Sequence, residues 1–136
     1  DLYGINNVQP IWADSFLKSI SNAKMGVNLS RGNPIKYYSS DRITQLIGNG
    51  LLTFIHEDTH YNNFFDKDEV IFYSNLSTLS EKIQRFARND NERKKIAKNG
   101  KVKYMKYFNS TVVADYIINK TFDVPHNKKK YLWENK

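Results

Sequence analysis

The chain contains no cysteine, which excludes disulfide bonds and thiolate catalysis. A small secreted scaffold would need such bonds, so their absence favours a reducing compartment, and we expect a cytoplasmic protein. Long apolar runs are missing as well. None approaches the roughly 20 residues that a membrane-spanning helix requires, so the sequence predicts no transmembrane helix.

Proline and glycine are scarce, with three and six residues among 136. No internal repeat or low-complexity tract interrupts the chain, and no interdomain linker is visible before its last dozen residues. A chain of this length has room for one domain that buries roughly two thirds of its unfolded surface. The sequence begins at Asp1 with no methionine and no leader, and we expect it to be cut from a longer protein.

Acidic residues are in deficit, with 14 against 21 basic residues, and the net charge is +7. A surplus of this size attracts nucleotide phosphates, nucleic acids and anionic membrane surfaces alike. Six lysines crowd residues 94–106, and three more follow one another at residues 128–130. A solvated helix face explains the same pattern, so charge alone does not select a partner.

Strand-like and helix-like segments alternate in the first half of the chain. Short apolar segments typical of buried parallel strands lie at residues 25–29, 51–55 and 70–73. Helices are predicted from Asp14, from Ser39 or Ser40 to Gly48, and then consecutively from Thr78, Asp90 and Ser110. Their expected inward residues include Phe16, Leu17 and Ile20 in the first helix and Val113, Tyr116 and Ile117 in the last.

This order predicts an α/β fold, a Rossmann-like parallel sheet with flanking helices that ends in consecutive helices. We assign residues 1–124 to the domain and residues 125–136 to a basic tail whose composition is typical of disorder.

The loop after the first predicted strand carries the residues best suited to hold an anion. Arg31 and Lys36 supply charge, Gly32 permits close backbone approach, and two tyrosines offer rings and hydroxyls. Because such loops lie at the carboxyl edge of a parallel sheet, we expect the next helix to present its unpaired N–H groups there. The candidate binding residues are Ser30, Arg31, Lys36, Tyr37, Tyr38, Ser39, Ser40, Asp41, Arg42 and Gln45.

A diphosphate group suits this arrangement, because its charge gains from both the helix dipole and charge-assisted hydrogen bonds. Packing of Tyr37 and Tyr38, with the arginines in surface ion pairs, would explain the same residues without a ligand. Spacing does not decide between the two interpretations.

One rival motif is His56-Glu57-Asp58-Thr59-His60, which satisfies the H-E-x-x-H pattern of zinc enzymes. That chemistry needs both histidines on one face of a stable helix. Here the motif directly follows a predicted strand and includes a charged residue inside the pair. We therefore interpret it as a polar loop and expect neither a metal nor a cofactor.

Five segments of the chain form a pattern that is typical of a known family. They are residues 28–55, which read NLSRGNPIKYYSSDRITQLIGNGLLTFI, Phe64-Phe65, residues 69–73, residues 79–83 and the IAKNG at residues 96–100. The pattern resembles the carboxyl-terminal, nucleotide-sugar-binding domain of GT-B glycosyltransferases. Within them it is most similar to the bacterial spore-maturation glycosyltransferase-like group, among the glycosyl transferases group 1. In that group a strand is followed by an Arg-x-x-Glu helix, a glycine and another strand, and here the helix reads Arg42-Ile43-Thr44-Gln45.

The resemblance, which covers roughly residues 20–108, implies a partial donor-binding domain that holds a nucleotide-diphosphate sugar. It also implies an amino-terminal domain of the same protein that supplies the acceptor site and usually the catalytic base, so no catalytic residue is expected in this chain, which would be inactive alone. In the broader family two glutamates hold the donor. Their positions fall on Tyr37 and Gln45, so neither carboxylate is present.

The function expected is therefore transfer of a sugar from a nucleotide donor to an unknown acceptor. The alternative is a non-catalytic α/β module that binds nucleic acid or another polyanion, based on the +7 charge with aromatic residues among the lysines, although no recognised nucleic-acid motif is present. The basic helices and Lys128 to Lys130 would also suit peripheral attachment to an anionic inner-membrane surface.

Overall fold

The computed structural model describes residues 7–30, 32–38 and 40–135. The elements follow in the order α1 Ala13–Asn22, β1 Met25–Asn28, α2 Asp41–Gly48, β2 Leu52–His56, β3 Ile71–Tyr73, α3 Leu76–Arg88, α4 Asp90–Tyr107 and α5 Ser110–Thr121. Short 3-10 turns cover Glu57–Thr59, Tyr61–Asn63, Lys128–Lys130 and Leu132–Asn135. The predicted α/β order, which ends in consecutive helices, is confirmed.

The three strands form one parallel sheet in the order β1-β2-β3. Phe54 of β2 lies opposite Val27 on one side and Ile71 on the other. The helix α2 returns along this sheet from the carboxyl end of β1 and packs closely on β1 through Gly26. A Cβ at that position would lie 2.3 Å from Leu46 Cδ2, so the absence of a side chain at Gly26 lets Leu46 pack directly on the strand.

Two apolar clusters cover the two faces of the sheet, because successive side chains of a strand point to opposite faces. The first cluster joins the sheet to α3 and α4 through Leu52, Phe54, Ile71, Tyr73, Leu79, Phe86, Ile96 and Ala97. The second joins it to α2 and the turns through Ile43, Ile47, Ile55, Tyr61, Phe64, Phe65 and Val70. The central strand β2 is therefore buried on both faces.

The capping residues of α3 and α4 differ from the predicted ones. Asn75, rather than Thr78, caps α3: its side chain accepts a hydrogen bond from the Thr78 amide at 3.0 Å, and Thr78 Oγ1 accepts one from the Asn75 amide at 3.2 Å. Thr78 is thus the third residue of the capping box and not its first. Similarly, Asn89 instead of Asp90 caps α4, through a bond from the Glu92 amide. In both cases an asparagine upstream of the predicted cap accepts the bond from the amide of the third helical residue.

The helix α4 continues without interruption through Asn99-Gly100, which the sequence indicated as a kink or a close contact. The structure shows a close contact: a Cβ on Gly100 would lie 2.2 Å from the Glu69 carbonyl oxygen. Asn99 Nδ2 also donates to the Asp68 carbonyl at 3.1 Å. This contact fixes α4 against the segment that leads into β3.

The apolar faces of α1 and α5 are less buried than predicted. Leu17, Val113 and Ile117 are exposed by 60, 37 and 56%, and no residue of either helix is fully buried. Tyr116 does pack inward, with its ring 4.9 Å from that of Tyr131. Periodicity identified the helices correctly but overestimated their contacts with the sheet.

The segment predicted as a basic tail packs against α5. Tyr131 is fully buried, and both its hydroxyl and the Lys130 ammonium donate to Asp115. The assignment of residues 1–124 as the domain stays a prediction. Within the described part of the chain, no helix has the length and apolar character needed to cross a membrane.

Candidate functional site

The carboxyl end of β1 and the start of α2 meet at one rim of the sheet. Arg42, in the first turn of α2, donates from Nη1 to the Leu29 carbonyl at 2.5 Å, directly after β1. Ser40 occupies the N-cap in an extended conformation, but its side chain makes no capping hydrogen bond. The first amides of α2 are thus presented at the rim without a side-chain partner from the cap.

Two buried side-chain oxygens among the described residues lack a hydrogen-bond partner, Asn28 Oδ1 and Ser40 Oγ. Asn28, at the end of β1, is only 3% exposed and shares the face of Gly26, which packs on α2. Both residues therefore lie on the α2 side of the rim. Since buried polar groups are nearly always paired, these two oxygens call for a water or a ligand at this place.

Asp41 and Gln45 lie on successive turns of α2. Gln45 Nε2 donates to Asp41 Oδ2 at 3.4 Å, and the Gln45 carbonyl accepts a bond from Asn49. The Asp41 carboxylate is exposed and complements the positive end of the helix dipole. An incoming anion would therefore share this helix end with a carboxylate.

Tyr37 packs into an aromatic group. Its ring lies 5.2 Å from that of Phe64, and its hydroxyl accepts a hydrogen bond from Asn63 at 2.6 Å. Lys36 Nζ lies 5.0 Å from the same ring. A cavity of about 250 Å³ adjoins it, lined by Tyr37, Ile43, Tyr61, Phe64, Phe65, Tyr104, Phe108 and Trp133. The spacing of the sequence left two interpretations of Tyr37 open, a contact with a ligand or packing inside the protein. In this structure Tyr37 packs inside the protein.

Four predicted site residues remain, namely Ser30, Arg31, Tyr38 and Ser39. Ser30 and Tyr38 are half-buried, and the Tyr38 amide donates to the Ile35 carbonyl at 3.0 Å. Arg31 and Ser39 lie outside the described residues. The structure thus brings together Ser30, Ser40, Asp41, Arg42 and Gln45 near one rim, and the Tyr37 ring packs on Phe64.

The H-E-x-x-H residues do not lie on an α-helix. His56 ends β2, a 3-10 turn covers Glu57–Thr59, and His60 has a left-handed backbone with φ 56°. Two histidines placed in this way do not share a helical face, which the zinc motif requires. The interpretation as a polar loop is confirmed.

Three carboxylates, those of Asp66, Asp68 and Glu69, have oxygens within 4.8 Å of one another. Lys103 occupies this group, with Nζ 2.7 Å from Glu69 and 3.3 Å from Asp66. Burial alone would lower the pKa of Lys103, but the hydrogen bonds and charges of these carboxylates outweigh it and raise that pKa. The cluster is therefore an ion-pair network that joins α4 to the segment before β3.

One residue at the rim was not recognised as a site residue from sequence, namely His56. It lines a cavity of about 210 Å³ at the carboxyl edge, together with Leu29, Ser30, Gly32, Pro34, Tyr73, Asn75 and Leu76. The available signal was its position at the end of a buried strand, where ligands of parallel sheets bind.

Comparison with known proteins gives one family. A family model described as glycosyl transferase-like matches residues 1–119, which is most of the 136-residue chain. Searches of curated proteins and of solved structures give no significant match.

Proposed function

The chain belongs to the glycosyl transferase-like family, and from that premise we propose that it is the donor-binding, carboxyl-terminal part of a GT-B glycosyltransferase. Its ligand is a nucleotide-diphosphate sugar, and the diphosphate binds where α2 begins. An amino-terminal domain of the same protein supplies the acceptor site and the catalytic base. The observation that carries this proposal is the buried Ser40 hydroxyl, a donor without a partner among the described residues, at the amino end of α2, where the cap makes no side-chain hydrogen bond.

The chemistry of this rim fits a diphosphate. Its amides and the Ser40 hydroxyl are hydrogen-bond donors, and the Arg42 guanidinium carries five N–H groups of which one holds the Leu29 carbonyl. A phosphate oxygen can accept from the remaining donors, and charge-assisted bonds of this kind are roughly twice as strong as neutral ones. The helix dipole adds a further attraction for negative charge.

Gln45 would contact the ribose in place of the glutamate that the broader family uses. The amide can donate and accept hydrogen bonds with ribose hydroxyls, but it carries no charge. Its present bond to Asp41 is long, at 3.4 Å, and can be exchanged for a ligand hydroxyl with little loss. We therefore expect the ribose to be bound more weakly than a carboxylate would bind it.

Polyanion binding, the alternative function, has less support. Its basis is the net charge of +7, yet Lys94, Lys103, Lys120 and Lys130 each form an ion pair with an aspartate or glutamate. Such pairs reduce the local positive field that nucleic acids need. Peripheral attachment to an anionic membrane would supplement donor binding, and it stays a prediction.

Calorimetric titration of the chain with UDP- and GDP-sugars tests the proposal. Arg42→Ala removes a charge-assisted donor, which is worth about 1.5–3 kcal/mol, so we expect the donor that binds to lose roughly 10- to 100-fold in affinity. Arg88→Ala is the matched control, because this exposed arginine lies at the far end of α3. Equal losses in the two variants, or no binding of any donor by the unmodified chain, would refute the assignment.

A further inference from the structure

We propose that the cavity lined by His56, which we call the His56 cleft, binds the sugar of the donor, and that His56 Nε2–H donates a hydrogen bond to it. This inference depends on the proposed function, since it places the second half of the same ligand. The cleft is the cavity of about 210 Å³ over the carboxyl ends of the strands. Of its lining residues, Ser30 is a predicted binding residue, whereas His56 is not.

The hydrogen bonds of His56 determine its tautomer. The Asp58 amide donates to His56 Nδ1 at 3.2 Å, and a nitrogen that accepts a bond from an amide carries no proton. In the neutral imidazole the proton is therefore on Nε2. Because Nδ1 already accepts the bond from the Asp58 amide, a ligand can bind the ring only at Nε2. At that position His56 is the hydrogen-bond donor.

The ring of His56 is held in place before any ligand arrives. It lies edge-on to Tyr73, with 5.1 Å between ring centroids and an interplanar angle of 80°. The side chain is only 20% exposed. A donor fixed between a strand neighbour and a turn loses little freedom on binding, which favours specific recognition of one hydroxyl.

The rest of the cleft matches a sugar, which has hydroxyl edges and apolar C–H faces. Leu29, Pro34 and Leu76 supply an apolar wall, whereas Ser30 and Tyr73 add hydroxyls near His56. Burial raises the pKa of Tyr73, so its hydroxyl stays protonated.

The cleft is continuous with the proposed diphosphate site. Leu29 lines the cleft, and its carbonyl oxygen accepts the bond from Arg42 at the start of α2. Ser30 follows immediately and also lines the cleft. One ligand can therefore place its diphosphate on α2 and the group attached to it against His56.

Two substitutions distinguish the hydrogen bond that His56 Nε2 donates to the sugar from the one that Nδ1 accepts from the Asp58 amide. His56→Gln places an amide N–H near the position of Nε2 but loses the Nδ1 acceptor. His56→Asn keeps an acceptor near Nδ1 for the Asp58 amide but has nothing at Nε2. Calorimetry compares, for each variant, the affinity for UDP or GDP with that for the matching nucleotide sugar. Melting temperatures verify that both variants are folded.

We expect the unmodified chain to bind the nucleotide sugar more tightly than the bare diphosphate. His56→Asn should weaken binding of the sugar form by about 2- to 12-fold and leave diphosphate binding unchanged, and His56→Gln should restore most of the loss. The inference alone is overturned if the diphosphate binds and the two variants match the unmodified chain, or if only His56→Gln loses the sugar. If neither ligand binds to the unmodified chain, the proposed function fails and the inference fails with it.

Discussion

Gly100→Ala adds one methyl group at the point where α4 crosses the segment that leads into β3. The new Cβ would lie 2.2 Å from the Glu69 carbonyl oxygen, whereas an ordinary contact begins at 3.4 Å, so about 1.2 Å of separation must be created. That oxygen belongs to the backbone, and its segment is held by Asn99 on Asp68 and by Lys103 on Glu69. Neither side can yield without breaking one of these bonds.

The size of the effect follows from two opposing terms. Alanine is favoured over glycine inside a helix by about 1 kcal/mol. Overpacking of a tight contact costs typically 1–3 kcal/mol, and a clash with backbone belongs at the upper end of that range. The net loss should be about 2 kcal/mol, which for a chain of this size lowers Tm by roughly 6–12 °C.

Gly48→Ala is the matched control, because it lies in α2 and its Cβ would meet only Met105 Cε, at 3.9 Å. We expect its stability to be unchanged or slightly raised. Urea denaturation followed by circular dichroism compares the two variants, and the midpoint should fall for Gly100→Ala at a constant m-value. Equal stability of both variants would contradict the contact between α4 and Glu69.

Other predictions concern the cap of α3 and the attachment of the C-terminal segment. Asn75→Ala should lower the free energy of unfolding, measured by urea denaturation, by about 1 kcal/mol. Asn75→Asp should change it very little, because aspartate also caps helices. A larger loss for aspartate than for alanine would refute the cap. Hydrogen bonds from lysines lower the pKa values of Asp115 and Glu134 from their ordinary values of 3.8 and 4.5, so their stabilisation is complete above about pH 5 and is lost as pH falls through the lowered native values. In a Trp12→Phe background, Trp133 fluorescence should therefore change as the pH falls below about 5, and a signal that stays constant down to about pH 2 would contradict this.

The order of elements could be predicted because local signals agreed with the fold. The apolar residues of β1 and β2 lie between turn residues, and the observed strands end within one residue of the predicted positions. Helix faces were less predictable. Val113 and Ile117 have helical spacing but remain exposed, since spacing does not specify whether a neighbour covers that face.

The candidate site was predicted in outline only. The helix end and Arg42 follow from local capping and charge, and the structure places them beside Leu29. The direction of the Tyr37 ring could not be predicted, because it depends on Phe64, which lies 27 positions further along the chain. His56 was missed for a similar reason: its relation to Tyr73 and Ser30 arises only when the strand ends are brought together.

The central claim is that a nucleotide diphosphate binds where α2 begins, and amide chemical-shift mapping of the ¹⁵N-labelled chain with UDP and GDP tests it most directly. Saturable shifts are expected at residues 28–30 and 40–43, which include the amides at the α2 amino end and those beside Asn28. The far end of α3, around Arg88, should remain unchanged. Shifts that spread over the lysines of α4 while residues 40–43 stay unaffected would contradict the claim.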